Sequence, residues 1–362
     1  MLVHICCAVD SHYFLQKLKD DYPSEKLVGF FYDPNIHPYS EYQLRLLDVK
    51  RSCKMLNIEL IEGEYDTIGW LEAVRGLESE PEKGARCSVC FDNRFEVSAK
   101  KSWELGEKIF TSTLLTSPKK SLKQLQSAGD KLAKKYGIEF IAPDYRKASG
   151  TQEQNIMAKE DRLYRQDYCG CIYGLTMQRD QQDRLADELI SPISRRVEPE
   201  SIESRLELYT KRYEYEEHGI EYKIIKQRFL NYRLLRGYLQ LRKEVVAAHF
   251  LPYSTLKGEY SRGRVEYSVG EVHYMSRDEV RFISLDHYNR LADREYSSVV
   301  ELIYSPPSFE AEVEIRAMVD SDRYSLSAIL VVDEIPDKKI EIVCQAKTYS
   351  DVKLELIQLD NL

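Results

Sequence analysis

The first ten residues constrain the fold of this chain more than any other stretch. Residues 2–5 form a short apolar run that is typical of a buried strand, and Cys6, Cys7 and Asp10 follow it directly. In open α/β sheets, ligands bind in the crevice beyond the carboxyl ends of the strands. The start of the chain therefore predicts a first strand that delivers two thiols and a carboxylate to a site at the edge of a sheet.

Two later stretches add four more thiols. Cys87 and Cys90 form a C-x-x-C motif, and Cys169 and Cys171 form a C-x-C motif. Each motif alone is equally consistent with a structural zinc half-site or with ordinary buried cysteine. Together the clusters favour a multinuclear or paired metal site over chance packing. A zinc site made of four cysteines leaves two thiols over, whereas an iron-sulfur cluster with a second centre or a redox pair uses all six.

The local context of these residues gives further expectations. A helix that opens at Asp10 would direct its positive end at the site and favour the thiolate forms of Cys6 and Cys7, although Asp10 as a simple helix cap is the alternative. Cys87 and Cys90 are expected in the first turn of a helix, on one face. Three residues are interpreted as core rather than as ligands: His4, Cys53 and Cys344.

Apolar runs alternate with helical patterns through about residue 190, which predicts a doubly wound parallel sheet. Nucleotide-binding proteins of this adenine-nucleotide alpha-hydrolase-like layout carry a glycine-rich phosphate loop after the first strand. Here residues 6–10 take that place, so use of ATP is not expected. We expect a catalytic α/β domain over residues 1–190, a linker over 191–200, and a C-terminal α+β accessory domain over 201–362.

The second domain offers no chemical constellation in its sequence. We expect it to be helical from 201 to about 245, with β-rich runs after residue 257 that include 311–317. RNA contact, oligomerisation and added stability all remain open as its role.

Composition limits the class of protein. With 362 residues, of which 43% are hydrophobic and 31% charged, the chain is expected to be a soluble globular protein. It has no run of eighteen apolar residues and no leader pattern, so we expect no membrane partner and a cytoplasmic location. Eight cysteines in that reducing compartment favour metal or redox use over disulfides.

Charge is unevenly distributed along the chain. The net charge is −8, yet residues 119–147 carry eight basic and three acidic side chains. This segment is either a solvated helix face or a footprint for a phosphate backbone.

The motifs resemble, in order, those of the QueH family of epoxyqueuosine reductases. The resemblance covers about the first half of the chain and rests on five stretches: His4-x-Cys6-Cys7-x-x-Asp10; Tyr32-Asp-Pro-Asn35-Ile-His-Pro38 followed by Glu41-Tyr42-x-x-Arg45; Arg86-Cys87-x-x-Cys90-x-x-x-Arg94; Thr111-x-Thr113-Leu114-x-x-Ser117-Pro118-x-Lys120; and Tyr168-Cys169-Gly170-Cys171-x-Tyr173. Asp10 departs from the third cysteine of many members, which replaces a soft ligand with a hard one.

The resemblance implies an oxidoreductase that converts epoxyqueuosine in tRNA to queuosine by two-electron removal of the epoxide oxygen. It also implies a [4Fe-4S] cluster, an additional iron ion, no cobalamin, and an external electron donor. On this interpretation Cys6, Cys7, Cys87 and Cys90 hold the cluster.

The remaining candidate residues have catalytic or substrate-binding roles. Asp10, Cys169 and Cys171 are the candidate catalytic residues, and together with the four cluster cysteines they make up the candidate metal ligands. The candidate substrate-binding residues, for which ordinary surface positions or ion pairs are the alternative, are Tyr39, Tyr42, Arg45, Arg94 and Lys120.

Two other functions use some of the same features. A sulfur-transfer tRNA-modifying enzyme on the same sheet would need the phosphate loop that the sequence lacks. A zinc-stabilised RNA-binding module would use the C-x-x-C motif and the basic segment. Iron with acid-labile sulfide in anaerobically purified protein would support the reductase, and stoichiometric zinc would support the module.

Overall fold

The computed structural model of the chain describes residues 1–117, 121–147, 149–276, 280–322 and 324–359. The chain divides into two compact units. The first consists of Met1–Leu189 and Arg205–Glu221, and the second of Ile190–Ser204 and Tyr222–Leu362. Within the described ranges, every helix is too short or too polar to cross a bilayer.

A parallel sheet forms the centre of the first unit. Its described strands are β1 Leu2–Ile5, β2 Val28–Phe31, β3 Glu59–Glu62, β4 Ile109–Ser112 and β5 Glu139–Phe140, in the order β3-β2-β1-β4-β5. All four residues of β1 are buried, as expected for a strand covered on both faces. The expected doubly wound parallel sheet is thus confirmed. The strand order changes direction between β1 and β4. In sheets of this kind, the crevice for a ligand opens at that point.

The described α-helices of the first unit are α1 Ala8–Asp21, α2 Tyr39–Met55, α3 Thr67–Ala73, α4 Ala85–Glu104, α5 Leu122–Tyr136, α6 Gly150–Glu160, α7 Ile172–Gln181 and, from Arg205 onward, α8 Ile202–Glu217. Local sequence explains several helix ends. The Asp66 side chain accepts a hydrogen bond from Gly69 N at 2.9 Å at the start of α3. The last helical turn of α5 closes at Gly137, whose φ of +67° suits glycine.

Helix α8 departs from the expected domain boundary. We expected residues 201–362 to form the second domain, but Arg205–Glu221 belongs to the first unit. The reason is a pair of ion pairs to α2. The fully buried Arg212 binds Asp48 at 2.5 Å, and Arg51 binds Glu216 at 2.6 Å.

The second unit contains two sheets. Its described strands are β6 Tyr222–Leu241, β7 Glu244–Val246, β8 His249–Phe250, β9 Tyr260–Gly263, β10 Val265–Val269, β11 Val272–Met275, β12 Arg281–Ser284, β13 Ile329–Val332 and β14 Ile340–Gln358. One sheet has the order β10-β11-β12-β13-β8 and the other β7-β6-β14-β9. The helices of this unit are α9 Leu285–Ala292, α10 Val299–Tyr304 and α11 Phe309–Val319.

Two secondary-structure expectations for the second unit are wrong. Residues 222–241, expected to be helical, form β6, because every residue of β14 pairs with this aromatic and β-branched segment. Residues 311–317, expected to be β-rich, lie in α11. There the Ser308 side chain caps the helix by accepting a hydrogen bond from Ala311 N at 3.2 Å, and alanine and glutamate favour the helix.

Candidate metal centre

Strand β1 ends in a compact group of three ligand side chains. Cys6 Sγ lies 3.8 Å from Cys7 Sγ and 3.8 Å from Asp10 Oδ2. The ligand atoms of these three residues all lie within 4.8 Å of one another. Among the described residues, this is the one group of three or more His, Cys, Asp or Glu side chains placed so that it could hold a metal ion. Both cysteines are buried and Asp10 is half-buried. Two sulfurs and one oxygen therefore converge at the expected edge of the sheet.

Helix α1 begins earlier than the sequence predicted. Its N-cap is Cys7, which makes no side-chain capping bond, so the alternative interpretation of Asp10 as the cap is wrong. Asp10 lies in the first helical turn, where Gln154 Nε2 donates a hydrogen bond to Asp10 Oδ1 at 3.0 Å. The side-chain hydroxyl of Thr116 donates to the Asp10 carbonyl oxygen at 3.1 Å. These contacts orient the carboxylate beside the two thiols.

The protonation of Cys7 differs from expectation. The hydrogen bond with Cys6, then burial and the nearby Asp10 carboxylate, raise the pKa of Cys7 well above its usual value. The helix N-terminus was expected to favour the thiolate. The Cys7 thiol therefore resists ionisation, and a bound cation would reverse that preference.

The C-x-x-C motif lies on α4 as predicted, with Cys87 and Cys90 in its first turn. Cys90 is buried in an apolar cluster that also contains Cys171 and Trp70. Cys87 is half-buried, and the backbone N–H of Lys83 donates to its sulfur at 3.2 Å.

The C-x-C motif lies at the start of α7, whose N-cap is Cys171. Between the two cysteines, Gly170 has a φ of +101°, and a Cβ there would come within 2.9 Å of Ile36 Cγ1 and 3.2 Å of Arg45 Nη1. Only glycine fits this conformation and this space. Burial raises the pKa of Cys171 to about 11.

The structure brings five of the seven predicted ligands together, as a set of three and a set of two. Cys6, Cys7 and Asp10 form the first, and within the described residues the other four thiols do not join that group at the 4.8 Å limit. Cys90 and Cys171 share one apolar cluster.

A cavity of about 370 Å³ adjoins the first set. Its lining residues are Cys6, Val9, Asp10, Asp33, Arg45, Arg94, Leu114, Ser117, Thr151, Gln154, Asn155, Arg165, Gln166, Asp167, Tyr168 and Cys169. Cys6 and Asp10 of the first set and Cys169 of the C-x-C motif thus line the same space.

Arg94 is a buried partner of Asp33 rather than a surface residue. The two side chains form an ion pair and both line the cavity. Burial nevertheless raises the pKa of Asp33 to about 6, against the opposing effect of Arg94. Asp33 Oδ2 is buried without a hydrogen-bond partner, as are both side-chain polar atoms of Asn35.

Sequence reasoning missed Asp33 because Asp, Pro and Asn directly after a strand are also typical of a turn. The signal that could have identified Asp33 is its position just after β2. The residues directly after β2 must reach the same sheet edge as those after β1, since neighbouring parallel strands end together.

Arg45 holds the loop that carries Cys169. It is buried, pairs with Glu41 at 2.7 Å, and donates hydrogen bonds to the carbonyl oxygens of Tyr168 at 3.1 Å and Cys169 at 3.2 Å. Glu41 in turn accepts a hydrogen bond from Tyr164 at 2.8 Å. Arg45 therefore lines the cavity with its bonding capacity already directed to the protein.

The other candidate substrate residues lie away from the cavity lining or cannot be placed. Tyr42 is buried and packs against Tyr39 and Tyr65, and Tyr39 is 53% exposed. Lys120 lies outside the described residues. In the rest of the basic segment, Lys123 is exposed on α5, and Lys135 pairs with Glu96 at 2.6 Å.

His4 is a core residue, as predicted. It is fully buried, and its ring nitrogens lie 2.8 Å from Ser112 Oγ and 3.2 Å from the Tyr32 carbonyl oxygen. Cys53 and Cys344 are likewise 1% exposed core residues.

The fold and the site define a class: α/β proteins that gather cysteine thiols and a carboxylate at the switch point of a parallel sheet. The profile of "Epoxyqueuosine reductase QueH" matches residues 1–177. "Epoxyqueuosine reductase QueH" of Helicobacter pylori is 39% identical over 352 residues, which cover 94% of this chain and 95% of that protein. The chain belongs to the epoxyqueuosine reductase QueH family.

Shorter relatives match the first half alone. The protein of the same name from Acinetobacter baylyi is 39% identical over 176 residues, 48% of this chain and 80% of that protein. The one from Thermotoga maritima is 32% identical over 189 residues, 51% of this chain and 95% of that protein. The first half is therefore the part that these relatives share.

Solved structures show only a distant likeness. A predicted subunit of tRNA methyltransferase from Methanocaldococcus jannaschii is 15% identical, with a TM-score of 0.32 over 52% of this chain and 90% of that one. The U34-tRNA thiolase NcsA from Methanococcus maripaludis, solved with its [4Fe-4S] cluster, is 16% identical, with a TM-score of 0.33 over 59% of this chain and 72% of that one. Neither likeness is close enough to carry a functional argument.

Proposed function

We propose that this chain reduces epoxyqueuosine in tRNA to queuosine in the cavity that Cys6, Asp10 and Cys169 line. The observation that carries the proposal is the convergence of two thiols and a carboxylate on that cavity, in a chain of this family. In the reaction the epoxide gains two electrons and two protons, both carbon–oxygen bonds break, and an alkene and water result. The site must therefore admit electrons and deliver protons to the departing oxygen.

The donor set fits an iron-containing cofactor. Six thiols and one carboxylate are enough to hold a [4Fe-4S] cluster and an additional iron ion. The grouping of side chains supports Cys6, Cys7 and Asp10 as ligands of the single iron. The cluster would then fall to the remaining four thiols: Cys87, Cys90, Cys169 and Cys171. This division differs from the one inferred from the sequence, which gave Cys6 and Cys7 to the cluster.

When bound, the iron groups would supply single electrons and a Lewis acid for the epoxide oxygen. The hard oxygen of Asp10 suits an ion that must bind and release oxygen. A carboxylate donates less electron density than a thiolate and so leaves the ion a stronger Lewis acid. Gln154 keeps Asp10 Oδ1 oriented by its hydrogen bond of 3.0 Å.

Asp33 supplies a proton in this proposal. It lines the cavity, its pKa is raised to about 6 by burial, and its Oδ2 atom is buried without a protein partner. A group with a pKa close to neutrality is the most effective general acid near pH 7. The buried pairing with Arg94 holds the carboxyl group in place.

The partners follow from the chemistry. The substrate is a tRNA that carries epoxyqueuosine, and the two electrons come from an external one-electron donor. The compartment that contains such tRNA is the cytoplasm.

Two replacements of Asp10 test the assignment. We expect Asp10→Ser to lower bound iron and to reduce turnover of epoxyqueuosine tRNA by a factor of about 10² or more, because serine is a weak neutral ligand. Asp10→Asn should behave in the same way, with little change in folding. Iron content, acid-labile sulfide and turnover are measured on anaerobically purified protein. Cys53→Ser, a change in the core, is the matched control and should keep its iron.

Two results would count against the proposal. If Asp10→Ser keeps full iron and full turnover, Asp10 is not a ligand. If the parent protein is colourless and carries stoichiometric zinc, the zinc-stabilised RNA-binding module is the better interpretation.

A further inference from the structure

The second unit carries a long two-stranded ribbon. We define the basic ribbon as residues 222–237 of β6 and residues 344–358 of β14, which pair antiparallel along their whole length. Strand β7 pairs with β6 only at residues 239–241, and β9 pairs with β14 only at residues 340–343. Within the described strands, the ribbon therefore continues past its neighbours as two strands.

The basic ribbon has a positive net charge, whereas the net charge of the whole chain is negative. It contains seven basic residues, Lys223, Lys226, Arg228, Arg233, Arg236, Lys347 and Lys353, and two acidic ones, Asp351 and Glu355, which gives a net charge of +5. The whole chain has a net charge of −8. The strand contributed by β6 has five of these basic residues and none of the acidic ones.

Both faces of the ribbon carry basic residues, but one of them carries no acidic residue. Residues directly opposite in an antiparallel pair share a face, and here Lys226 lies opposite Leu354 and Arg228 opposite Val352. Both basic side chains are exposed, and the described residues of this face contain no carboxylate. The two acidic residues lie on the opposite face, where Asn231 Nδ2 donates to Asp351 Oδ2 at 2.8 Å.

Apolar side chains accompany the charge. Leu230 and Val352, on the same face as Arg228, are 46% and 39% exposed. Not every basic residue is available, since Arg233 is buried and donates to the Pro199 carbonyl oxygen at 2.8 Å. On the face without acidic residues, Lys226 and Arg228 are thus exposed cations beside exposed apolar side chains.

Protection of strand edges is the simplest alternative explanation. Charged residues on exposed edges, lysine above all, prevent unwanted strand pairing, but edge protection does not require a large net charge. Five net positive charges in an acidic chain instead match a polyanion. Phosphate contacts by lysine and arginine supply most of the sequence-independent affinity for nucleic acids.

We propose that the basic ribbon binds the phosphate backbone of the tRNA substrate, an inference that rests on the proposed function for its choice of polyanion. The ribbon binds tRNA without reading its sequence, and Lys226 and Arg228 make two of the contacts. It thus gives the second unit a role in substrate affinity and none in the chemical step.

The test compares two double variants of the full chain. Lys226→Ala/Arg228→Ala should weaken tRNA binding about 10-fold at low salt and make the log–log salt slope shallower by roughly one to two. With epoxyqueuosine tRNA, KM should rise by the same factor and kcat at saturation should stay unchanged. The matched control is Lys26→Ala/Lys50→Ala, which removes two exposed lysines that pair with Glu59 and Glu62. The control should bind tRNA like the parent.

Three results would overturn the inference. The first is a ribbon variant with the affinity and salt slope of the parent. The second is equal weakening in both double variants, which would indicate a non-specific charge effect. The third is an unchanged affinity with a changed oligomeric state in light scattering, which would assign the ribbon to contact between copies of the chain.

A charge-reversal variant and a turnover assay complete the design. Lys226→Glu/Arg228→Glu should weaken tRNA binding further than the alanine pair while keeping the unfolding midpoint of the parent. Turnover by the parent is a separate readout. A parent protein that binds tRNA through the ribbon but fails to reduce epoxyqueuosine would refute the proposed function. The assignment of the basic ribbon to tRNA binding would still stand.

Discussion

His4 shows how one buried residue makes stability depend on pH. Burial, with a smaller effect of Arg94, lowers the pKa of His4 well below its usual value of 6.5, so the ring stays neutral in the folded protein. The unfolded chain binds a proton at this residue below about pH 6.5, and the folded chain does not. The stabilising contribution is therefore complete above pH 6.5 and is lost as the pH falls.

This difference predicts a measurable slope. Below pH 6.5, the free energy of unfolding should fall by about 1.4 kcal/mol for each pH unit because of His4. Urea unfolding between pH 5 and 8 measures the slope. In His4→Gln, which has no titrating ring, the slope should be shallower by that amount. The same slope in both proteins would show that His4 is protonated when folded.

At the residue scale, the sequence predicted the grouping of three candidate ligands better than it predicted their surroundings. Cys6, Cys7 and Asp10 converge because a strand that ends at a sheet edge must place the next residues there. The burial of Arg94 with Asp33 could not be predicted in this way, since it depends on two side chains 61 positions apart. The spacing of residues along the chain does not predict such contacts.

At the scale of elements, α8 forms a buried ion pair with α2, and removal of one partner should lower the free energy of unfolding strongly. Asp48→Ala would leave the fully buried Arg212 without its carboxylate, which typically costs about 3–5 kcal/mol. Chemical denaturation of the variant measures this loss.

The matched variant replaces both partners. Asp48→Leu/Arg212→Met should be far less destabilised than Asp48→Ala, because no uncompensated charge remains. If the double variant is as unstable as the single one, the pair contributes through its shape and not through its charge.

The same elements show where sequence patterns fail. Regular apolar runs predicted the five strands of the first unit, because parallel strands are buried on both faces. Residues 222–241 were predicted to be helical, as part of a segment with many charges and tyrosines. Pairing with β14, more than a hundred residues later in the chain, decides their structure instead, and a local pattern does not contain that information.

At the scale of the whole molecule, removal of the proposed iron groups should act on one unit. A ligand that binds only the folded state stabilises the part that binds it. The candidate ligands belong to the first unit, and the described residues of the second contain no comparable group. A chelator should therefore lower the unfolding midpoint of the first unit alone.

Differential scanning calorimetry under anaerobic conditions checks this expectation, with and without chelator. Cys344→Ser, in the core of the second unit, is the control and should shift only the other transition. Equal shifts of both transitions on chelation would show that the two units unfold together.

The order in which the chain completes its first unit has a consequence during synthesis. Domains generally fold as units while the ribosome elongates the chain. Here residues 205–221 complete the first unit, although they are made after residues 190–204 of the second. Until α8 has been translated, Asp48 and Arg51 lack the partners that they have in the finished protein. A nascent chain that ends at residue 189 is therefore an incomplete folding unit, and the ribosome must finish α8 before the first unit reaches its full stability.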